Sequence, residues 1–142
     1  MNKEIIDKIK LTTFYQNLNE KLILKINNLI LQNFKTSRIN TYEKLIYKMI
    51  NNEVVGFMGL HKYYDNDNDN DYISINQLCV DINYRNQGIA TQLLNSLCNN
   101  EKYILFIDKH ENDDSHLKLI DFYKKRGFII SSENDIEIKM KK

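Results

Sequence analysis

The 142-residue sequence has no proline, no tryptophan, four glycines and two cysteines. Without proline no turn is set by a locked φ, so tight turns fall to glycine and asparagine. Scarcity gives weight to each of Gly56, Gly59, Gly88 and Gly127. No apolar run approaches the ~20 residues of a membrane span, and the Met1-Asn2-Lys3-Glu4 start has no apolar signal core. No asparagine opens an N-x-S/T acceptor. Cys79 and Cys98 fall on expected core faces, with no histidine or second cysteine at ligand spacing. A disulfide framework, a metal site and a thiol nucleophile are therefore disfavoured, and a reducing, cytoplasmic setting is expected. Twenty Lys+Arg balance nineteen Asp+Glu, for a net charge of +1. That supplies no field for non-specific nucleic-acid binding and no basic surface for a membrane.

What is present is one domain's worth of alternating elements, 1–142, with no linker or repeat. Lys8 to Phe14 alternates as a strand. Leu22, Ile23, Ile26, Leu29, Ile30 and Phe34 recur at helical steps, with Asn17 or Asn19 as cap. Lys35, Ser37 and Arg38 lie in a polar connection; Thr41 caps a short helix through Tyr42, Leu45 and Ile46. Tyr47 to Ile50 then reads as a strand turning at Asn51-Asn52, which tolerates positive φ. Val54 to Tyr63 is a strong strand, with Gly56 and Gly59 marking bulges or close approach. The alternation at 65–71 lacks the glycine and glutamate of a calcium loop, and reads as a hairpin tip returning in strand Tyr72 to Val80.

Next comes the stretch with the sharpest chemical content. After Leu78-Cys79-Val80 the residues Arg85, Gly88 and Ala90 have the spacing R-x-x-G-x-A, ahead of a helix whose stripe is Ile89, Leu93, Leu94, Leu97 and Cys98. Small residues permit close approach to the backbone, and a helix start presents unpaired N–H groups suited to phosphate. No G-K-[ST] follows, which excludes a P-loop. Lys102 to Asp108 reads as a buried strand completing a βαβ unit. Ser115, with Asp113 and Asp114, caps a helix facing inward through Leu117, Ile120, Tyr123 and the stem of Lys124. Gly127 ends it, and Phe128 to Ile130 and Ile136 to Met140 close as a hairpin.

In this order the sequence resembles the GCN5-related N-acetyltransferase (GNAT) superfamily. The resemblance rests on LCVDINYRNQGIATQLL as the acyl-CoA loop, on Phe122-Tyr123 with Gly127-Phe128 as the F-Y-x-x-x-G-F signature, and on the Val55-Gly56-Phe57 strand. It implies an α/β (α+β) fold: a mixed, mostly antiparallel sheet of six or seven strands, about four flanking helices and a splayed central parallel pair. It implies acetyl-CoA as cofactor, with pantetheine pairing along Leu78, Cys79 and Val80. The pyrophosphate would lie over the N–H groups of Asn86, Gln87, Gly88, Ile89, Ala90 and Thr91, with Arg85 in the loop. Tyr123 would be the general acid for the departing thiolate, and a main-chain N–H near Cys79 or Val80 would hold the oxyanion.

The sequence departs from the family at the base. Where many members carry glutamate, Asn76-Gln77 cannot take a proton; His61 and His116 are the substrate-side candidates, and no metal is required. The family's frequent asparagine, seven residues before the tyrosine, is here His116. Small size resembles members acting on small metabolites, among them the glucosamine-6-phosphate N-acetyltransferases, which imply an amino-sugar acceptor and a homodimer. Lys35, Arg38, Lys62 and Lys125 are basic groups available to a sugar phosphate. A protein N-terminal or lysine acetyltransferase and a non-catalytic acyl-CoA-binding module are the alternatives.

Overall fold

The computed structural model describes residues 7–13, 20–34, 43–65, 70–109 and 114–142. Expectations on Asn17, Asn19, Lys35, Ser37, Arg38, Thr41, Tyr42, Asp113 and the hairpin tip at 66–69 fall outside them. The elements are β1 (Asp7–Thr13), α1 (Glu20–Phe34), β2 (Lys44–Ile50), β3 (Glu53–Asp65) and β4 (Asn70–Val80). A 3-10 turn (Ile82–Tyr84), α2 (Ile89–Asn95), β5 (Tyr103–Asp108), α3 (Ser115–Lys124), β6 (Ile129–Glu133) and β7 (Glu137–Lys141) follow. They fall into two compact units, one of residues 1–61 and 76–98, the other of 62–75 and 99–142.

In the first unit β1 pairs antiparallel with β2, and β2 with β3. The β2–β3 turn is Asn51-Asn52, with φ of 52° and 68°, the paired left-handed residues that a two-residue hairpin requires. The short helix expected through Leu45 and Ile46 is instead the start of β2. Both residues are buried, and they alternate along a strand covered on two faces, so an adjacent apolar pair imitates a helical step. A register shift between Lys48 and Met49 re-aims β2 and β3. As a result Leu45, Val54, Phe57 and Cys79 meet Ile26, Leu29 and Ile30 of α1 in one core, bordered by Leu22, Tyr47 and Met49.

The opposite face of this unit receives α2, which packs on β2 through Ile89, Leu93 and Leu94. Gly56 makes that approach possible: a Cβ there would lie 3.0 Å from Ile89 Cγ2 and 3.1 Å from the Cys79 carbonyl oxygen. Lys48 is buried on β2, and its Nζ donates to Gln92 Oε1 of α2 at 2.6 Å. Burial holds this ammonium below the usual lysine range. The α2 stripe stops short of expectation. The helix ends at Asn95, where Ser96 N–H and Oγ both bond back to carbonyls of the last turn. Cys98 lies beyond that end and is exposed, not in the core.

In the second unit β4 pairs parallel with β5 over Ile73↔Tyr103 and Ser74↔Ile104. That register is two pairs long, although β4 runs to Val80 and β5 to Asp108. The neighbours continue β5-β7-β6, both pairings antiparallel. Leu105, Ile107, Ile138 and Met140 are buried on one face, and α3 packs against β5. The other face carries Phe106 stacked edge-on against Tyr63, and a buried Asp65 that accepts from Lys141 with Lys139 close by. The helix face expected at Leu117 and Lys124 is not the covered one: Leu117 is 55% exposed, and Tyr123 is the buried residue of α3. The cap falls on Asp114, whose side chain makes no capping bond, and Ser115 is the first helical residue. Gly127, at φ 94°, ends the helix with Phe128 N–H bonding back to the Tyr123 carbonyl.

The architecture is thus a mixed α/β one, with three α-helices among the described residues. None of those helices is long and apolar enough to cross a membrane. Replacing Gly56 by alanine should cost about 1–3 kcal/mol, because the new methyl meets backbone as well as a side chain. The urea midpoint of Gly56→Ala measures it; an unshifted midpoint would contradict the tight approach of α2.

Candidate active site

At the end of β4 the chain must leave the sheet and enter α2 within a few residues. Asp81 controls the exit. It is buried, its carboxylate accepts the Asn83 N–H at 3.0 Å, and Lys25 Nζ of α1 lies 3.0 Å from its other oxygen. Burial alone would raise this carboxyl. The Asn83 N–H and the charges of Lys25 and Arg85 outweigh it and hold the group below the usual carboxylate range. Arg85 Nη2 donates to Asn33 Oδ1 at 2.9 Å and Nε to the Val80 carbonyl at 3.4 Å. Asn33 donates in turn to the same carbonyl, and Gln32 accepts the Ile82 N–H. The first arginine of the R-x-x-G-x-A turn is therefore a strut between α1 and the strand end.

Beyond the strut the backbone opens outward. Asn86 has φ 62° and Gly88 φ 78°, and Asn86, Gln87 and Gly88 are exposed. A Cβ on Gly88 would meet nothing within 4 Å, so the glycine is required by its left-handed φ and leaves open space above the start of α2. Ile89 is buried as the anchor, Ala90 and Thr91 are half-buried, and the first helical bond runs from Gln92 N–H to the Gly88 carbonyl. An open surface of small residues at a helix start fits a diphosphate. Cys79 faces the α1 core with no exposure, and burial pushes its thiol up to about 12, Arg85 pulling weakly the other way. It is a packing residue and not a nucleophile. Leu78 and Val80 flank it, half-buried.

Just before this triplet β4 is irregular. Gln77 adopts φ 55° within the strand, and its Oε1 is buried without a hydrogen-bond partner. A left-handed non-glycine residue costs about 1–3 kcal/mol, and an unmet buried acceptor about as much again. Asn76 Nδ2 stands 2.9 Å from His61 Nδ1 and 3.0 Å from its Nε2, so the amide fixes the imidazole of β3 beside β4.

Tyr123 and His116 belong to the second unit. Tyr123 is 8% exposed, held edge-on by Phe122 at 5.2 Å and Phe128 at 5.6 Å between centroids. Arg126 stacks 3.6 Å over the Phe122 ring and donates to the Phe122 carbonyl. The F-Y-x-x-x-G-F residues thus form one aromatic cluster that fixes the phenol's ring. His116, on the first turn of α3, contributes with Lys109 to holding Glu133 below the usual carboxylate range, the Lys109 hydrogen bond being the larger influence. Among the described residues no group of three or more His, Cys, Asp or Glu side chains is placed to hold a metal.

Comparison with known proteins decides the family. The acetyltransferase (GNAT) domain pattern matches residues 42–130. The chain belongs to the GNAT acetyltransferase family. No curated protein is significantly similar to it in sequence. Among solved structures it is similar in fold to PH1933 of Pyrococcus horikoshii OT3, with TM-score 0.74, 15% identity, and 95% of this chain and 98% of that one covered. It is also similar to Arabidopsis thaliana Naa50 bound to the bisubstrate analogue CoA-Ac-MVNAL, with TM-score 0.69, 19% identity and coverages of 94% and 97%. An aminoglycoside 6'-N-acetyltransferase complexed with coenzyme A gives TM-score 0.69, 17% identity and coverages of 94% and 96%.

Sequence reasoning missed the side chains that brace the turn between β4 and α2. Lys25 and Asn33 lie in no motif, and Asp81 lies within the quoted loop but outside its R-x-x-G-x-A spacing; the available signal was an aspartate at a strand end, two residues before an N–H it can accept. Asp81→Asn should destabilise the fold by about 1–3 kcal/mol at neutral pH. Because the folded carboxyl titrates below its unfolded value, its contribution is complete above the usual carboxylate range and fades as pH falls through the folded value. Urea midpoints against pH for both proteins should converge in acid; parallel curves would show that Asp81 carries no such linkage.

Proposed function

We propose that the protein is an acetyl-CoA-dependent N-acetyltransferase acting on the primary amine of a small metabolite, an amino sugar such as glucosamine 6-phosphate. The observation that carries the donor assignment is the open, left-handed Gly88 above the start of α2, braced from below by Arg85 and Asp81. Family membership supports the reaction class.

When bound, acetyl-CoA supplies an activated acyl carbon and a thiolate that can depart. The chain's own residues then have separable tasks. The N–H groups of residues 86–91 hold the diphosphate, and the backbone of Leu78, Cys79 and Val80 aligns the pantetheine arm. Tyr123 provides a phenolic proton at its Oη for the leaving sulfur, an acid matched to a thiolate. His61, fixed by Asn76, stands on the substrate side and accepts the amine's proton directly or through water; His116 is assigned to substrate binding. No glutamate occupies Asn76 or Gln77, so the proton acceptor in this reading is an imidazole or water and not a carboxylate. The single 1–142 domain and a homodimer belong to this reading.

Thiol release from acetyl-CoA with glucosamine 6-phosphate, spermidine and the peptide Met-Val-Asn-Ala-Leu tests the acceptor. Turnover with the sugar phosphate is expected, and exclusive turnover of the peptide would replace this assignment with a protein acetyltransferase. Tyr123→Phe should lower kcat about 10²-fold or more while acetyl-CoA binding, followed by calorimetry, is retained; equal loss of both would refute the acid role. Gly88→Glu should abolish acetyl-CoA binding and, because φ 78° strains any side chain, lower stability by about 1–2 kcal/mol while circular dichroism still shows a folded protein; unaltered affinity would refute the donor loop.

A further inference from the structure

We propose that Lys48 is a positioning residue for the donor's diphosphate: acting through Gln92, it holds the left-handed turn at Gly88 in the form that receives phosphate. This rests on the acetyl-CoA reading above, in which Lys48 has no part. Lys48 is buried on β2 beneath α2. Its register partner on β3 is Gly56, whose missing side chain lets Ile89 and Leu93 approach the sheet. The ammonium reaches Gln92 Oε1 at 2.6 Å, a residue 44 positions away in sequence. The Gln92 N–H in turn donates to the Gly88 carbonyl at 2.9 Å. Two successive hydrogen bonds thus connect a buried cation to the glycine that turns the chain.

Fold stability is a poor reason for this arrangement. Taking an ammonium out of water is unfavourable, and a neutral carboxamide offsets only part of that. A methionine has nearly the same length and would fill the place beside Gly56 with no charge to desolvate. The position of the charge is what a lysine adds. A helical side chain leans toward the N-terminal end of its helix. The Gln92 amide, and the ammonium under it, therefore lie on the Gly88 side of α2. A cation there opposes the helix dipole, a disadvantage that a bound diphosphate turns into attraction. The hydrogen bond also fixes the first turn of α2 on β2, and with it the direction in which the exposed backbone of Asn86 to Gly88 faces.

Calorimetry with CoA, and thiol release with the best of the three amines above, test this on two variants and their combination. Lys48→Met keeps the length and removes the charge; Gln92→Leu keeps the size and removes the acceptor. Each should weaken CoA binding about tenfold, the effect of one hydrogen bond to a charged group. KM for acetyl-CoA should rise as much, with kcat within about twofold of wild type. Acetyl-pantetheine has the arm without the diphosphate, and should react equally well with wild type and variants. The double variant should match the single ones, since both act through one contact. Gln92 is exposed, so Gln92→Leu tests that contact even where Lys48→Met fails to fold. Unchanged CoA affinity in the variants overturns the assignment. So does an equal loss with acetyl-pantetheine, which marks a residue needed only for the fold. Additive losses in the double variant overturn it too, because they separate Lys48 from Gln92. If the wild-type protein itself does not bind CoA, the donor reading fails and the assignment falls with it; wild-type binding that both variants retain removes the assignment alone.

Discussion

A buried carboxylate at the end of a strand is the constraint on which the loop into α2 depends. Asp81 gathers Lys25 from α1 and the Asn83 N–H from the 3-10 turn, so helix, strand and loop meet at one charge. Arg85 adds a second tie from the loop back to Asn33 and the Val80 carbonyl. The balance is electrostatic: removing Asp81 from water is unfavourable, and only the neighbouring cations and N–H make its ionised form the stable one there. Once those partners are fixed, the backbone from Asn86 to Gly88 has few ways to reach α2, and it takes the left-handed one.

The family and the order of the elements were legible because each is written locally. R-x-x-G-x-A names residues whose smallness or φ matters on the spot, and Asn51-Asn52 declares its hairpin through two left-handed residues. Misreadings arose where distant packing decides. Leu45-Ile46 looked like part of a helix because a strand buried on both faces has no alternation to display. Cys98 continued an apolar stripe on paper, but Ser96 closes the helix first. Leu117 and Tyr123 are both apolar positions on α3, and only the cluster with Phe122 and Phe128 selects the line that is covered. The Asp81 and Lys48 contacts span long sequence separations, so no window of sequence contains both partners.

The two ends of the expected reaction are served by unlike materials. The donor side, as proposed, is backbone: N–H groups, a glycine and a strand edge, all tolerant of side-chain change except where bulk intrudes. The acceptor side, as proposed, is an amide and an imidazole on β4 and β3, Asn76 beside His61. That contrast explains why a sequence can state its cofactor clearly and its substrate faintly. Backbone requirements leave glycine and spacing as traces, whereas amide and imidazole groups occur everywhere on protein surfaces.

The strand order β5-β7-β6 has a consequence for how the second unit is assembled. β7 follows β6 in the chain yet lies between β6 and β5. β6 therefore has no seat in the sheet until β7 has arrived, and the hairpin must enter as a preformed pair or β6 must wait unpaired. Lys141 of β7 also closes on Asp65, 76 residues earlier, so one late segment completes both the sheet and its buried ion pair. Contacts of such long range close slowly. During synthesis the sheet of this unit stays incomplete until β7 has emerged, and β6 waits without a neighbour. Assembly of this unit thus waits on β7, the one strand that joins β6 to β5.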